Sequence, residues 1–363
     1  MNLLESLIHE IIAQDGPISL ERYMTLALAH PELGYYRSRQ PFGAEGDFIT
    51  APEISQMFGE LIGLWSVEIW RGMGAPNPVR FVELGPGRGV LMADALRAAR
   101  VAPDFLQAID LRFVETSEPL REVQRLALAG SGVAVAWHAR VEEVPAGPAI
   151  FVANEFFDAL PVRHYVCAEG GWRERLVGLD CEGKLGFGLA PEPELKLAAA
   201  GERGEILELG VAAIELMSAL ALRIASQGGA LLALDYGYDA PARGETLQAL
   251  RRHRFADPLR DPGEADLTTH VDFRALSLAA AAAGAQPHGP VAQGEFLRRL
   301  GIFERAAALR RKADARQSAG IDSALERLAG GSGAPTDMAN LFKALAVTPR
   351  SFPAPAGFET GQA

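Results

Sequence analysis

The chain has few of the residues that would staple it or bind metal. Only two of its 363 residues are cysteine, Cys167 and Cys181. That is too few for a disulfide framework or a cysteine-rich zinc site. Both fall in or near an expected hairpin and read as buried free thiols. The seven histidines include no His-x-x-x-His pair and no cysteine at ligand spacing, so no metal is expected. Positive charge is in deficit, with 35 Lys and Arg against 46 Asp and Glu and a net charge of -11. That excludes a generally basic nucleic-acid-binding surface. No stretch reaches the ~18 unbroken apolar residues of a membrane span. The nearest, LALRIASQGGALLALDYG, is interrupted by Arg223, Gln227 and glycines. The opening MNLLESLIHEIIAQ reads as an amphipathic helix with Leu4, Leu7, Ile8 and Ile11 on one face. Its Glu5 and Glu10 are unlike a secretory or Arg-rich transit leader. The expectation is a soluble, cytoplasmic protein without membrane insertion.

What the chain does have is apolar mass, 48% hydrophobic residues, enough for one large α/β domain with insertions or for two domains. It also has a bare turn within VRFVELGPGRGVLMADALRAAR. Val79–Leu84 has strand composition between Asn77-Pro78 and Gly85. From Val90 the pattern is helical, with Leu91, Ala95, Leu96 and Ala99 on one stripe and Asp94, Arg97 and Arg100 off it. A glycine turn between strand and helix lets a ligand press on the main chain near a helix N-terminus. No Gly-Lys-Ser/Thr follows, so this is no Walker A loop. A dinucleotide fingerprint would need a third glycine where Val90 stands. The observed acid-x-Gly-x-Gly-x-Gly, with Gly85, Pro86, Gly87 and Gly89, resembles the first motif of class I S-adenosylmethionine (SAM) methyltransferases.

Strands are expected at 111–116, 132–138 and 148–156, and again in GGALLALDYGY. Their near-continuous apolar runs suit a parallel sheet buried on both faces. RHYVCA and WRERLVGLD read as a meander, followed by a helix over 206–227. Thr50-Ala-Pro-Glu53 is a capping box that should start a helix, with Ile54, Met57, Phe58, Leu61 and Trp65 on its core face. After Tyr238 the signals mix, and Arg251, Arg252, Arg254 and Arg260 read as a solvated face. Alanine-rich helices are expected at 272–284 and 293–330, a turn at 330–335 and a closing strand at 340–349. The segments are therefore 1–75, an N-terminal helical region with a glycine-rich loop; 76–240, a Rossmann-like core with a hairpin insertion; 241–349, a C-terminal helical elaboration with the closing strand; and 350–363, a flexible tail.

Ligands of such a sheet sit at the carboxyl ends of its strands. Glu115, with Thr116 beside it, ends the second strand and is placed to accept hydrogen bonds from two ribose hydroxyls. The fourth strand ends in ANEFFDALP, bringing Asn154, Glu155 and Asp158 near the reacting groups. Acids around an aromatic pair suit a cationic substrate. After the third strand, Ala139 and Arg140 stand where many such enzymes carry an acid for the adenine amine. Glu142 or a backbone group is left for that contact.

GDFITAPEISQMFGELIG, VELGPGRG, FVETSE, ANEFFDALPV, LDYG and DPGEADLTTHVDF together resemble the MidA-like methyltransferases, over a span from about Gly34 to beyond Phe303. The resemblance implies a class I α/β fold with added helices, SAM as cofactor with S-adenosylhomocysteine as product, and protein arginine methylation. The family includes a mitochondrial assembly factor of respiratory complex I, associated with symmetric dimethylation of an arginine on the 49-kDa subunit. The implied partner is thus a protein presenting an arginine, such as a complex I subunit of that type. By motif position, Gly85, Gly87 and Glu115 carry over as SAM contacts. Asp47 and Thr50 would close over the cofactor, and Asn154 and Glu155 form the post-strand motif. Asp266, His270 and Asp272 belong to a motif of underived role. Glu155 would grip the guanidinium through two N–H groups, with Asp158 or Asp47 as second acid. Three other readings compete: a small-molecule methyltransferase, a SAM-binding assembly chaperone without catalysis, and a dehydrogenase that Val90 disfavours. Oligomeric state is not set by the sequence.

Overall fold

The computed structural model describes residues 2–38, 50–197, 200–240, 242–331 and 333–359. Two compact units are drawn from it, one from 1–48, 158–215 and 240–271, the other from 49–157, 216–239 and 272–363. This division differs from the linear segments expected above. The chain leaves the second unit after its fourth and fifth strands, and both excursions fold with the N-terminal helices.

The second unit is built on β1 (Val79–Leu84), β2 (Ile109–Val114), β3 (Val135–His138), β4 (Ala149–Asn154), β5 (Gly229–Tyr238), β6 (Ala285–Ala292) and β7 (Phe342–Pro349). Their spatial order is β6-β7-β5-β4-β1-β2-β3. Strands β5, β4, β1, β2 and β3 run parallel, and β7 is antiparallel to both β5 and β6. Burial explains the unalternated sequences: every residue of β4, and Ala230–Leu234 of β5, is closed off from solvent. Strand order reverses between β1 and β4, which opens a crevice at their carboxyl ends.

One strand was unforeseen here, and two expectations need correction. The stretch 285–292 is a strand, although it carries Pro287 and Pro290. It lies at the sheet edge, where missing N–H groups cost little, and its register slips between His288 and Val291. The helix expected over 293–330 is three helices, Gln293–Arg299, Ile302–Arg310 and Ala315–Ala329. Gly301, at φ 87°, breaks the first join, and Asp314 caps the third helix in a box with Gln317. The tail over 350–359 is packed: Phe358 is buried with its ring 5.1 Å from that of Phe296. The Trp65 indole N–H donates to the Ala356 carbonyl at 3.2 Å.

In the first unit, the helices Leu3–Asp15 and Leu20–Ala29 bury Leu4, Ile8, Tyr23 and Leu28 with Val177 and Leu267. The expected meander is there, as Arg163–Ala168 paired with Gly171–Leu179. Ile206–Leu209, expected as helix, is a strand paired with Arg163–Val166, and the helix starts at Val211. The thiols are not buried: Cys167 is half-buried in its strand, and Cys181 is exposed in the turn after Leu179. Of the arginines beyond Tyr238, Arg251 pairs with Asp261 and Glu264.

One close contact positions the glycine turn. The helices Gln56–Gly72 and Val90–Ala98 meet at Gly59 and Gly63. A Cβ at Gly59 would sit 2.7 Å from the Asp94 Cβ, and one at Gly63 would run into the Ala95 carbonyl. Glu60, between them, is buried and accepts hydrogen bonds from Arg305 at 2.7 and 2.9 Å and from Arg97 at 3.0 Å. Burial pushes its carboxyl up, but the two guanidinium groups outweigh this and hold it below the usual range. Gly63→Ala should therefore lower stability by about 1–3 kcal/mol through overpacking. Thermal unfolding measures it, and a change within about 0.5 kcal/mol would mean that the helices part freely.

Candidate active site

The turn after β1 is left-handed at all three glycines, with φ of 60° at Gly85, 52° at Gly87 and 78° at Gly89. Gly89 is the N-cap of Val90–Ala98, and its N–H donates to the carbonyl of buried Pro86 at 2.7 Å. Ligand access is not the sole reason for glycine. A Cβ on Gly85 would also strike the Phe156 ring at 2.8 Å, so a larger residue there disturbs the fold as well as any bound group.

Glu115 follows β2 and is buried. Its N–H donates to the His138 carbonyl, continuing the ladder to β3. One carboxylate oxygen accepts the Ser117 N–H at 2.8 Å, and the other accepts the Gln124 amide at 3.1 Å. Burial pushes the carboxyl up, and the Ser117 and Gln124 donors draw it back in part. Gln124 does more than this. Its Nε2 also donates to the Gly87 carbonyl at 2.7 Å, and its Oε1 accepts the Trp137 indole N–H at 2.8 Å. One amide thus fixes Glu115, the glycine turn and the end of β3. Sequence reading missed it, though Gln124 lies between Leu120 and Leu128 on the buried stripe of the helix Glu118–Leu128. A polar residue at such a position is the signal. Thr116, beside Glu115, is exposed.

Strand register places three polar side chains on one face. Glu83 of β1 faces Phe113 of β2 and Val152 of β4. Alternation then brings Glu83, Glu115 and Asn154 to the same side, at the carboxyl ends of three adjacent strands. Two of the three have a buried atom without a hydrogen-bond partner, Glu83 Oε2 and Asn154 Oδ1. Burial holds the Glu83 carboxyl well above its usual range. Such orphans call for a ligand or water. A ligand with hydroxyl and ammonium groups suits them, and Glu115 uses only part of its accepting capacity. These residues therefore fit SAM.

Glu155 directly after β4 has φ 49°, a left-handed conformation unusual for a side chain with a Cβ. Strain of about 1–2 kcal/mol is held in place from β5. Buried Asp235 accepts the N–H groups of Phe156 at 3.1 Å and Phe157 at 3.0 Å through one oxygen, and that of Tyr236 at 3.0 Å through the other. The Glu155 Oε1 accepts the Ala51 N–H at 3.0 Å and the Asn154 amide at 3.2 Å. That explains an oddity at Thr50. The helix Ala51–Ile54 starts there as expected, yet the Thr50 side chain makes no capping hydrogen bond: Pro52 has no N–H, the Glu53 N–H goes to the Thr50 carbonyl at 2.9 Å, and Glu155 takes the Ala51 N–H. Glu53 of this helix stands 3.6 Å from Arg88 in the glycine turn. Asp235 also escaped the sequence reading, although LDYG shows an acid ending an apolar run.

The remaining candidates separate. Asp47 lies outside the described residues. Asp158 belongs to the first unit, where it is buried and its carbonyl accepts the Thr269 N–H at 2.9 Å. Also in that unit, Asp266 accepts the Tyr36 hydroxyl at 3.0 Å, and the His270 N–H donates to the Thr246 hydroxyl at 2.8 Å. Asp272 caps the helix Phe273–Ala282 through the Ala275 N–H. After β3, Glu142 forms an exposed pair with Arg140, while Glu143 turns back to accept the Ala139 N–H at 2.9 Å.

Gln124→Ala should weaken SAM binding about tenfold or more, since it leaves the Trp137 N–H and the Gly87 carbonyl without their partner and frees Glu115 to move. Isothermal titration measures this, and an unchanged Kd would show that Glu115 needs no such clamp.

A family model of S-adenosyl-L-methionine-dependent methyltransferases matches residues 61–291. The Danio rerio protein arginine methyltransferase NDUFAF7, mitochondrial, is 40% identical over 336 residues, spanning 85% of this chain and 78% of that protein. The Drosophila melanogaster homolog of the same name is 37% identical over 368 aligned positions, spanning 93% and 83%. A crystal structure from Burkholderia thailandensis bound to S-adenosyl-homocysteine matches with a TM-score of 0.83 at 28% identity, covering 99% of this chain and 93% of that one. These relatives overturn the expectation of a cytoplasmic protein, because they are named as mitochondrial. The expectation rested on two acids near the start of the chain and on the lack of a long apolar run, neither of which distinguishes one aqueous compartment from another. Among the described residues, no helix is long and apolar enough to cross a membrane. By sequence over most of its length and by the sheet that carries the glycine turn, the chain belongs to the MidA-like family of S-adenosylmethionine-dependent methyltransferases.

Proposed function

We propose that this methyltransferase acts on the guanidinium of a protein arginine. The observation that carries the reading is Glu155, an acid fixed at the carboxyl edge of β4 in a strained backbone. Such strain is typical of functional sites. The names of the relatives, protein arginine methyltransferases, support it. Within that class, the proposed acceptor is a subunit of respiratory complex I of the 49-kDa type, on the family resemblance.

SAM, when bound, supplies an electrophilic methyl group. The chain has to hold two partners in line and prepare a poor nucleophile. In this proposal the Gly85–Gly89 turn and Pro86 cradle the cofactor, Glu115 accepts its ribose hydroxyls, and Asn154 Oδ1 takes a further N–H. Glu155 receives guanidinium N–H groups and draws positive charge toward itself, leaving electron density on the attacking nitrogen. Two donors already engage Glu155 Oε1. The carboxylate is therefore oriented before substrate arrives.

Glu155→Gln keeps an oxygen for the Ala51 N–H but loses the charge. It should lower kcat about 10²-fold with SAM affinity changed by less than about threefold. Methylarginine, read by mass spectrometry of the acceptor protein, tests the substrate class. Full turnover by the variant would remove Glu155 from this role, and methyl transfer only to a small molecule would overturn the arginine reading.

A further inference from the structure

Beside the proposed site, the second unit has a groove of about 460 Å³ between the segment Ile54–Gln56 and the helices Ile302–Arg310 and Ala315–Ala329. Its floor is apolar, with Ile54, Leu309, Ile321 and Ala324, and Lys312 and Gln317 stand at its rim. Gly320 also lines it, from the interior of a 15-residue helix. A helix interior is a costly place for glycine. Neither packing nor backbone demands it here, since a Cβ would meet nothing within 4 Å and φ is not positive. What glycine provides is an open mouth.

The charge around the groove is unusual for this protein. Neighbouring Arg305 and Arg310 are paired with Glu60 and Asp322. Arg311, Lys312 and Arg316 make no side-chain hydrogen bond or ion pair among the described residues. Arg316 precedes Gly320 by four residues and so lies on the same helix face. Lys312 lines the groove, Arg316 shares the Gly320 face, and Arg311 adjoins Lys312 in the chain, so cations without a partner among the described residues gather at one apolar groove on a chain of net charge -11. The groove also connects to the chemistry. Ile54 ends the four-residue helix whose first N–H is held by Glu155, about 5–6 Å of helix away.

We infer that this groove docks an acidic stretch of the protein substrate flanking its arginine, an inference that rests on the arginine reading above. With the guanidinium at Glu155, the flanking chain passes over Ile54. An apolar side chain enters between Leu309 and Ile321, and carboxylates meet Arg311, Lys312 and Arg316. A single-stranded nucleic acid is the poorer fit, because among the described residues no aromatic side chain lines the groove for bases to stack on.

The test is fluorescence anisotropy with the full chain saturated with S-adenosylhomocysteine. The probes are a labelled synthetic dodecapeptide of one arginine, one leucine and three glutamates, the same peptide with lysines for the glutamates, and an oligouridine. The acidic peptide should bind about tenfold tighter than the basic one. Gly320→Trp and the triple variant Arg311→Glu, Lys312→Glu, Arg316→Glu should each abolish that preference, with S-adenosylhomocysteine affinity unchanged as the control for folding. Equal binding of both peptides, insensitivity to both variants, or preference for oligouridine overturns the docking groove. The same peptides incubated with SAM separate the two claims. Methylarginine formed without any flank preference sinks the groove and leaves the arginine reading standing. A variant-sensitive acidic preference without methylarginine supports the groove and sinks the arginine reading for these peptides.

Discussion

The edge of the sheet proposed to seat the cofactor depends on one buried amide. Gln124 reaches three things that come from distant parts of the sequence: the Glu115 carboxylate, the Gly87 carbonyl and the Trp137 indole. Each of these groups is costly to bury alone, and together they satisfy one another. The result is an acid held at the end of β2 in fixed relation to a turn that presents bare backbone. Backbone pairing reaches only the Gly85 and Glu115 N–H groups, which donate to the Val114 and His138 carbonyls, and Gln124 fixes what lies beyond. The close approach of Gly59 and Gly63 to the next helix completes the frame from behind.

The edge proposed to take the acceptor repeats this arrangement with a carboxylate in place of the amide. Asp235 takes three backbone N–H groups around the turn after β4. Hydrogen bonds to a charged acceptor are worth about 1.5–3 kcal/mol each, enough to offset the left-handed backbone at Glu155. Glu155 in turn starts the helix Ala51–Ile54 by accepting its first N–H. A single strained residue therefore couples the end of β4 to the chain that enters the second unit. The orphaned oxygens of Glu83 and Asn154 sit between the two halves on the same face. They are the places where the protein leaves polar demand for a ligand to meet.

Much of this was legible in the sequence, for physical reasons. Buried parallel strands need unbroken apolar runs, so β1, β2, β4 and β5 announced themselves. The glycine spacing and the acids at strand ends marked the edge where ligands bind. What stayed hidden was set by tertiary partners. Gln124 is one polar letter in an amphipathic helix, and its importance comes from where β3 ends. Asp235 was visible in LDYG, but its work is done on residues 156 and 157, which only the β4–β5 pairing brings near. Strand β6 was masked by its prolines, which an edge position tolerates. The tail looked mobile because proline content was read without Phe358 and its partner Phe296. Asp158 stood three residues from Glu155 in the sequence, yet the chain enters the other compact unit at that point.

The central claim is that Glu115, Asn154 and the Gly85–Gly89 turn together form the cofactor seat. A crystal structure of the chain grown with S-adenosylhomocysteine tests it most directly. The account predicts ribose hydroxyls within about 3.2 Å of the Glu115 carboxylate, the methionine part lying over the glycine turn, and the Asn154 Oδ1 acquiring a partner. A ligand bound elsewhere, or one in this crevice that leaves Glu115 untouched and the Asn154 oxygen still orphaned, would contradict it.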